Sequence, residues 1–259
     1  MIYLKTYFYT EHEVKFLKLN LLEAFNHIDK FIICEYNRTH TGEEREFIFD
    51  KYKHLFTEEE LNKIEYLACD ISNETVYAKD DEETMHRVNE PVMRGYFVKR
   101  MNLKDEDIII SVDADEIIYE HMYPTIIDKT RNHGATLLKL NQFFYKTNYH
   151  WYTNEFIAPT AMRYSDFKFN YPCQLRYTGN LINEFAGCHF SWCMTPEEMM
   201  HKLSTFAHSQ YRFCANLELL ENAIATKTYP FDSSVDFKIN ELSYDDEILP
   251  KNMNKILNL

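Results

Sequence analysis

The first half of the chain alternates short apolar runs with amphipathic stretches. A capping box, Thr10 with Glu13, precedes apolar residues at helical spacing, so a helix is predicted after the first strand. Glu82–Arg100 also follows helical spacing, with Pro91 predicted to kink or split that helix. Runs of β-branched and aromatic residues predict four strands: Ile2–Tyr9, Phe31–Cys34, Ile64–Ala68 and Asp107–Val112.

This order of elements predicts an α/β layered domain with a central, mostly parallel mixed sheet flanked by helices. In such sheets, ligands bind beyond the carboxyl ends of the strands. Two polar segments follow strands at that edge, Glu35–Glu44 and Asp113–Glu116. We therefore expect a ligand site where these two segments meet.

The second half of the chain has a different pattern. A capping box at Thr195, followed by Pro196, predicts a helix to about Tyr211, and a second helix is predicted over 217–225. The tail from Asp232 is polar and is expected to wrap the surface. Three further strands are predicted, at Leu137–Tyr145, Cys173–Tyr177 and Phe185–Trp192.

Composition narrows the classes of function. With 28 Lys and Arg against 41 Asp and Glu, the net charge is −13, which argues against binding nucleic acid or an anionic membrane through bulk charge. Only 5 glycines occur, and neither the GxGxxG fingerprint nor a P-loop is present. The six cysteines include no CxxC pair, so a zinc ribbon is not expected. No signal peptide precedes the first strand and no apolar run reaches 18 residues, so we expect a reduced, cytoplasmic protein without a membrane span.

An acidic cluster, Asp113-Ala114-Asp115-Glu116, follows the apolar run at Ile108–Ile110. Three carboxylates in four residues repel one another, and a cation would offset that repulsion. Hard cations such as Mg²⁺ and Mn²⁺ prefer carboxylate oxygens and share their shell with substrate phosphates. A solvated acidic turn is the alternative interpretation.

A second cluster, Gly187–Cys193, places His189 among cysteines and a tryptophan. Its imidazole is a candidate metal ligand or acid/base group, and a buried, hydrogen-bonded core histidine is the alternative. The polar segment after the second predicted strand, Glu35–Gly42, has groups suited to nucleoside or sugar hydroxyls. A loop with turn residues at Asn37 and Gly42 is the alternative there.

Four segments, in order, resemble glycosyltransferase family 17, whose members include β-1,4-mannosyl-glycoprotein β-1,4-N-acetylglucosaminyltransferases. The acidic cluster lies in a segment similar to the family's D-D-V-x-I-x-x-D-[AV]-D-E-I-P, and His189 lies in one similar to A-G-W-H-C-S-W-C-F-T-P-E. Cys188 and Phe190 replace the family's Trp and Cys in the latter. The four segments, which span nearly the whole chain, are Tyr9–Leu19, Ile28–Thr39, Glu106–Ile117 and Ala186–Glu197.

The resemblance implies a single GT-A-like domain, with residues 1–118 binding nucleotide-sugar and metal and residues 119–259 binding the acceptor. It implies a nucleotide-sugar donor, a UDP-sugar first of all, a saccharide or glycoconjugate acceptor and inversion at the anomeric carbon. It also implies Mn²⁺ or Mg²⁺ bridging the donor phosphates as a Lewis acid. The implied ligands are Asp115, Asp113 as second ligand or ribose contact, and His189, with His208 as the alternative histidine.

The remaining roles under this resemblance concern the donor and the proton. Arg94 is the candidate for a phosphate contact. The general base that inversion requires is Glu184 or Glu116. Trp151, Trp192 and Tyr145–Tyr152 are candidates for stacking on sugar rings. The candidates for nucleoside recognition are Glu11, Glu35 and Asn37.

Two other functions remain open at this point. A nucleotidyltransferase or phosphoesterase would use the same aspartates at a nucleotide, although such enzymes usually bring further carboxylates for a second metal. A non-catalytic carbohydrate-binding protein on a transferase scaffold would bind the donor without turnover.

Overall fold

The computed structural model describes residues 1–78, 81–168, 176–205 and 209–259. The strands are β1 Ile2–Phe8, β2 Lys30–Tyr36, β3 Ile64–Cys69, β4 Ile108–Ser111, β5 Glu116–Ile118, β6 Thr136–Phe144, β7 Tyr149–Arg163, β8 Asn180–Ser191 and β9 Ile239–Glu241. The helices are α1 Val14–Ala24, α2 Phe49–Tyr52, α3 Glu58–Lys63, α4 Glu82–Thr84, α5 Glu90–Gly95, α6 Tyr123–His133, α7 Tyr164–Phe167, α8 Pro196–Thr205 and α9 Leu217–Thr226. Short segments of 3-10 helix connect several of these elements, at Glu11–Glu13, Lys53–Leu55, Tyr96–Lys99, Glu120–Met122, Ser209–Cys214 and Met253–Lys255.

The described strands form one nine-stranded mixed sheet, curled into a half-barrel and flanked by helices. Its order is β3-β2-β1-β4-β7-β6-β8-β5, and β9 pairs with β7. The pairs β3-β2, β2-β1, β1-β4 and β6-β8 are parallel. The other four pairs are antiparallel. The α/β class and the mixed sheet are therefore confirmed, whereas the expectation of mostly parallel pairing holds only for the N-terminal half.

Local signals predicted the N-terminal half well. The capping box at Thr10 and Glu13 forms and opens a 3-10 turn that leads into α1. Pro91 lies in the first turn of α5, directly after a turn of π-helix at Met85–Asn89, so the predicted helix is split as expected.

The C-terminal half differs more from the prediction. The longest strand, β7, lay outside every predicted element, as did α6. The tail from Asp232 does not only cover the surface, as expected from the sequence. Its strand β9 pairs with β7, and Leu249, Met253 and Ile256 are buried in the hydrophobic core. The predicted strand at Cys173–Tyr177 falls mostly outside the described residues.

Apolar side chains cover both faces of the sheet. One core lies between the sheet and helices α1 and α6, and a second lies under α5 on the opposite face. A third, rich in aromatic rings, packs β6 and β7 against α8, α9 and the tail. Between the second and third cores, the carboxyl ends of β1 and β4 face an open cavity. None of the described helices is long and apolar enough to cross a membrane.

Candidate active site

A cavity of about 450 Å³ lies at the carboxyl ends of β1 and β4. Its floor carries Asp113, Asp115 and His189. One side, which we call the polar wall, comes from the N-terminal half and includes Thr39, His40, Glu43, Arg45, Glu90 and Arg94. The opposite side, the aromatic wall, comes from the C-terminal half and comprises Trp192, Tyr211, Tyr229 and Phe231.

Asp113 begins the turn after β4 and is bound by two arginines. Arg94 donates from Nη1 to Oδ1 at 2.9 Å and from Nη2 to Oδ2 at 3.4 Å. Arg176 Nη1 lies 3.0 Å from Oδ1 of the same carboxylate. Burial alone raises the pKa of Asp113, but the two guanidiniums outweigh burial and hold that pKa well below its usual range.

Glu116 lies under this turn and closes it. Its Oε2 accepts the backbone N–H of Asp113 at 2.7 Å, and its Oε1 accepts from Arg176 Nη2 at 2.5 Å. The side chain is completely buried, and burial raises its pKa to about 7 against the opposing charge of Arg176. Glu116 therefore fixes the shape of the acidic turn and does not line the cavity.

Asp115 and His189 come together because β5 pairs with β8. The register places Glu116 opposite His189. Gly187 permits this close pairing, since a Cβ there would lie 1.9 Å from the carbonyl oxygen of Ile117. As a result, Asp115 Oδ1 lies 3.8 Å from His189 Nε2.

The environment of His189 favours a neutral ring with a defined tautomer. Burial lowers its pKa to about 4, although Asp115 opposes the shift. Nδ1 lies 3.0 Å from Gln142 Oε1, and a ring that donates from Nδ1 to this oxygen presents the Nε2 lone pair to Asp115. A neutral imidazole fixed through its other nitrogen is the usual arrangement of a histidine metal ligand.

Two of the predicted metal ligands thus fit one ion. Ligands at about 2.1 Å from a common ion are separated by at most about 4.2 Å, and the 3.8 Å between Asp115 and His189 lies within that limit. Asp113 has both oxygens engaged by arginine, so it is a poor third ligand. Within the described residues, no group of three His, Cys, Asp or Glu side chains is arranged to hold a metal. His208 lies outside the described residues.

Comparison with known families decides the class of protein. The family model described as glycosyltransferase family 17 matches residues 7–229. The chain belongs to glycosyltransferase family 17. This family consists of N-acetylglucosaminyltransferases, and membership makes the chain a glycosyltransferase, with a sugar donor and an acceptor implied. A comparison with curated proteins gave no match.

In this family 17 chain, two predicted nucleoside contacts have structural partners instead. Glu35 is completely buried and accepts from Arg45 and from the backbone of Ile48 and Phe49. Asn37 bonds Asp70 and Ser72 and accepts from the backbone of Ile71. Glu35 therefore supports Arg45 of the polar wall from behind, whereas the partners of the Asn37 side chain do not line the cavity.

The other candidates fall on different surfaces. Arg94 lines the cavity but is engaged by Asp113 and by Glu90. Glu11 lines an adjoining outer groove of about 490 Å³ and not the cavity itself. Glu184 is exposed on β8, five residues before His189 and away from the cavity lining. Trp151 is buried in the aromatic core, whereas Trp192 lines the cavity.

Three residues of this glycosyltransferase site were missed from the sequence. Arg176 forms ion pairs with Asp113 and Glu116. It belongs to no sequence motif, and only the fold brings it to them. Lys202 belongs to α8, and its position next to the buried Leu203 was the only feature that could have pointed to it. His12 lies in the capping-box segment, yet its side chain faces the cavity.

Proposed function

We propose that the chain is a GT-A-like, metal-dependent, inverting glycosyltransferase. It transfers N-acetylglucosamine from a UDP-sugar to a hydroxyl of a saccharide or glycoconjugate. The observation that carries this proposal is the pairing of Asp115 with His189 at the floor of a cavity large enough for a nucleotide sugar. Family membership supplies the class of reaction.

The donor nucleotide is assigned to the polar wall. This wall stands beyond the carboxyl ends of parallel strands, where nucleotides bind in α/β sheets. Its rings and hydrogen-bonding groups suit a base and a ribose, and Tyr9 and His40 lie with ring centroids 4.9 Å apart. Asp113, fixed by two arginines, is suited to accept hydrogen bonds from ribose hydroxyls and not to ligate metal.

Asp115 and His189 would hold the cation, and the donor diphosphate would complete its coordination. When bound, the cation withdraws electrons from the departing diphosphate as a Lewis acid. The imidazole ligand favours Mn²⁺ over Mg²⁺, because nitrogen ligands suit transition ions better. Gln142 orients the ring of His189 for this role.

The acceptor is assigned to the aromatic wall, whose rings suit the apolar faces of sugars. Inversion requires a base within about 3 Å of the acceptor hydroxyl. His12 is our candidate, because its side chain lines the cavity between the two walls and its ring is neutral, burial lowering its pKa to about 4. Its Nδ1 lies 2.8 Å from Thr10 Oγ1, and donation from Nδ1 leaves Nε2 as the proton acceptor.

The proposal is tested by thermal unfolding with a panel of nucleotide sugars, each with and without Mn²⁺, followed by product analysis. A ligand that binds only the folded chain raises the melting temperature. We expect a Mn²⁺-dependent shift with a UDP-sugar and release of nucleoside diphosphate when a saccharide acceptor is added. Release of pyrophosphate or nucleoside monophosphate would instead indicate a nucleotidyltransferase or phosphoesterase.

The matched variants are Asp115→Asn and Asp128→Asn, the latter on the exposed face of α6. Asp115→Asn should abolish transfer and the Mn²⁺-dependent shift while the protein remains folded, and Asp128→Asn should leave both intact. Full activity of Asp115→Asn would refute the assignment of the metal site.

A further inference from the structure

Lys202 reaches the floor of the cavity from α8. This helix starts at a capping box in which Thr195 N–H donates to Glu198 at 2.8 Å and Glu198 N–H donates to Thr195 Oγ1 at 3.3 Å. Met199 and Leu203 anchor its inner face in the aromatic core. Lys202, next to Leu203, is thereby directed toward Asp115.

The ammonium of Lys202 is held near Asp115 without a hydrogen bond to it. Nζ lies 3.9 Å from Asp115 Oδ2 and 5.0 Å from the centroid of the Trp192 ring. The first distance exceeds the roughly 3.2 Å of an N–H···O hydrogen bond. Among the residues the structure describes, the ammonium meets no nearer acceptor, so its three N–H donors remain available for a ligand.

The other described Lys and Arg side chains that line the cavity already donate hydrogen bonds to groups of the protein. Arg94 donates to Glu90 and Asp113. Arg45 donates to Glu35 and to the carbonyl oxygens of Tyr36 and Tyr9. Among the described Lys and Arg residues that line the cavity, Lys202 is therefore the one that can donate hydrogen bonds to an anionic ligand without breaking a hydrogen bond within the protein.

The position of Lys202 suits the diphosphate of a sugar donor. Lysine carries a compact charge on a flexible stem and is a common phosphate ligand. Its ammonium stands beside Asp115, between the polar wall and the aromatic wall, where the bond between sugar and phosphate must lie if each substrate binds its wall. As that bond breaks, its electron pair stays on the phosphate oxygen, and a cation at this point stabilises the added charge.

We propose that Lys202 is a further catalytic residue, which binds the donor diphosphate and stabilises it as the leaving group. This inference rests on the proposed function, because it requires a nucleoside diphosphate in the cavity. A purely structural lysine would only neutralise Asp115 and cover Trp192.

The test uses isothermal titration with UDP and with uridine, in Mn²⁺ and separately in excess chelator, on the full chain. Lys202→Met keeps the stem over Trp192 and removes the charge, Lys202→Arg restores a charge, and Lys99→Met is the control at an exposed lysine.

We expect Lys202→Met to weaken UDP binding about 10- to 100-fold and leave uridine binding unchanged, since one charged hydrogen-bonded contact is lost. We expect Lys202→Arg to recover part of the loss and Lys99→Met to bind as the wild type does. In turnover, kcat should fall more than KM rises.

The result that overturns the assignment is a folded Lys202→Met variant that binds UDP as tightly as the wild type in both conditions. An equal loss of UDP and uridine binding would also overturn it, because that pattern indicates a structural role. If the wild-type chain binds neither UDP nor the ADP, GDP and CDP analogues, the proposed function fails and this assignment fails with it.

Discussion

The two walls of the cavity are built on different principles. In the polar wall, Arg94 and Glu90 already form ion pairs with each other and with the floor, so its charges are fixed before any ligand arrives. The aromatic wall is made of rings in mutual contact, such as Tyr211 and Phe231 at 4.9 Å, and its neighbour Lys202 makes no hydrogen bond among the described residues. A prearranged wall suits a constant substrate, the nucleotide, whereas a surface of rings suits a sugar recognised by shape.

The largest expected effect concerns the floor beneath the polar wall. Asp113→Asn would leave Arg94 and Arg176 buried with less negative charge between them. Removing one partner of a buried ion pair costs about 3–5 kcal/mol. We expect the free energy of unfolding to fall by about that amount, as measured by urea denaturation at pH 7.

Asp115→Asn is the matched comparison in the same motif. Asp115 has the neutral ring of His189 at 3.8 Å, the ammonium of Lys202 at 3.9 Å and no arginine partner. The same substitution should therefore change stability by under about 1 kcal/mol while removing activity. Equal stability losses in the two variants would show that the two aspartates do not have separate structural and functional roles.

The contrast between the halves also explains what could be predicted from the sequence. The strands β1, β2 and β4 are buried on both faces and appear in the sequence as apolar runs, and capping boxes marked the helices α1 and α8. The long strand β7 has no such pattern, because its exposed and buried positions alternate irregularly and it contains Pro159. Local pattern therefore predicted the strands of the parallel half and, in the C-terminal half, β6, β8, α8 and α9, but it missed β7 and α6.

For the site, the sequence predicted which residues lie close together but not the role of each residue. Asp113, Asp115, Arg94 and His189 do come together around the cavity. Glu35 lies near the end of β2 and Glu116 begins β5, and tertiary partners turn both side chains inward. Arg176 decides the role of Asp113 from 63 positions further along the chain, and no local signal carries that information.

A pH-dependent contribution to stability is expected from the polar wall. Glu90 accepts from Arg94 Nε at 2.8 Å and contacts His86 Nδ1 at 2.9 Å. Burial by itself would raise the pKa of Glu90, but Arg94 and the neighbouring histidines lower it to about 2. Because the folded pKa lies below the unfolded one, this stabilisation is complete above about pH 4.5 and is lost as the pH falls toward 2.

The measurement compares urea denaturation of the wild type and Glu90→Gln at pH 6 and pH 3. The wild type should be more stable by about 3 kcal/mol at pH 6, and about half of that difference should be gone at pH 3. Glu221→Gln, at an exposed position of α9, should have little effect at either pH. A difference that does not change with pH would mean that the Glu90 carboxylate is not held ionised by its partners.

The smallest expected effect tests the aromatic wall itself. Tyr229 is half-buried, with its ring centroid 5.3 Å from that of Phe231, and Tyr229→Leu keeps much of the volume while removing the ring. Loss of one stacking contact, about 0.5–1.5 kcal/mol, should raise the acceptor KM about 3- to 10-fold and leave UDP binding unchanged. Steady-state kinetics with the best acceptor from a panel of neutral mono- and disaccharides measures this KM, with Tyr152→Leu at an exposed position of β7 as the control.

On the polar wall, His40→Ala should show the converse, weaker UDP binding with an unchanged acceptor KM. If Tyr229→Leu weakened UDP binding instead, the nucleotide would lie on the aromatic wall and the assignment of the two substrates would be reversed.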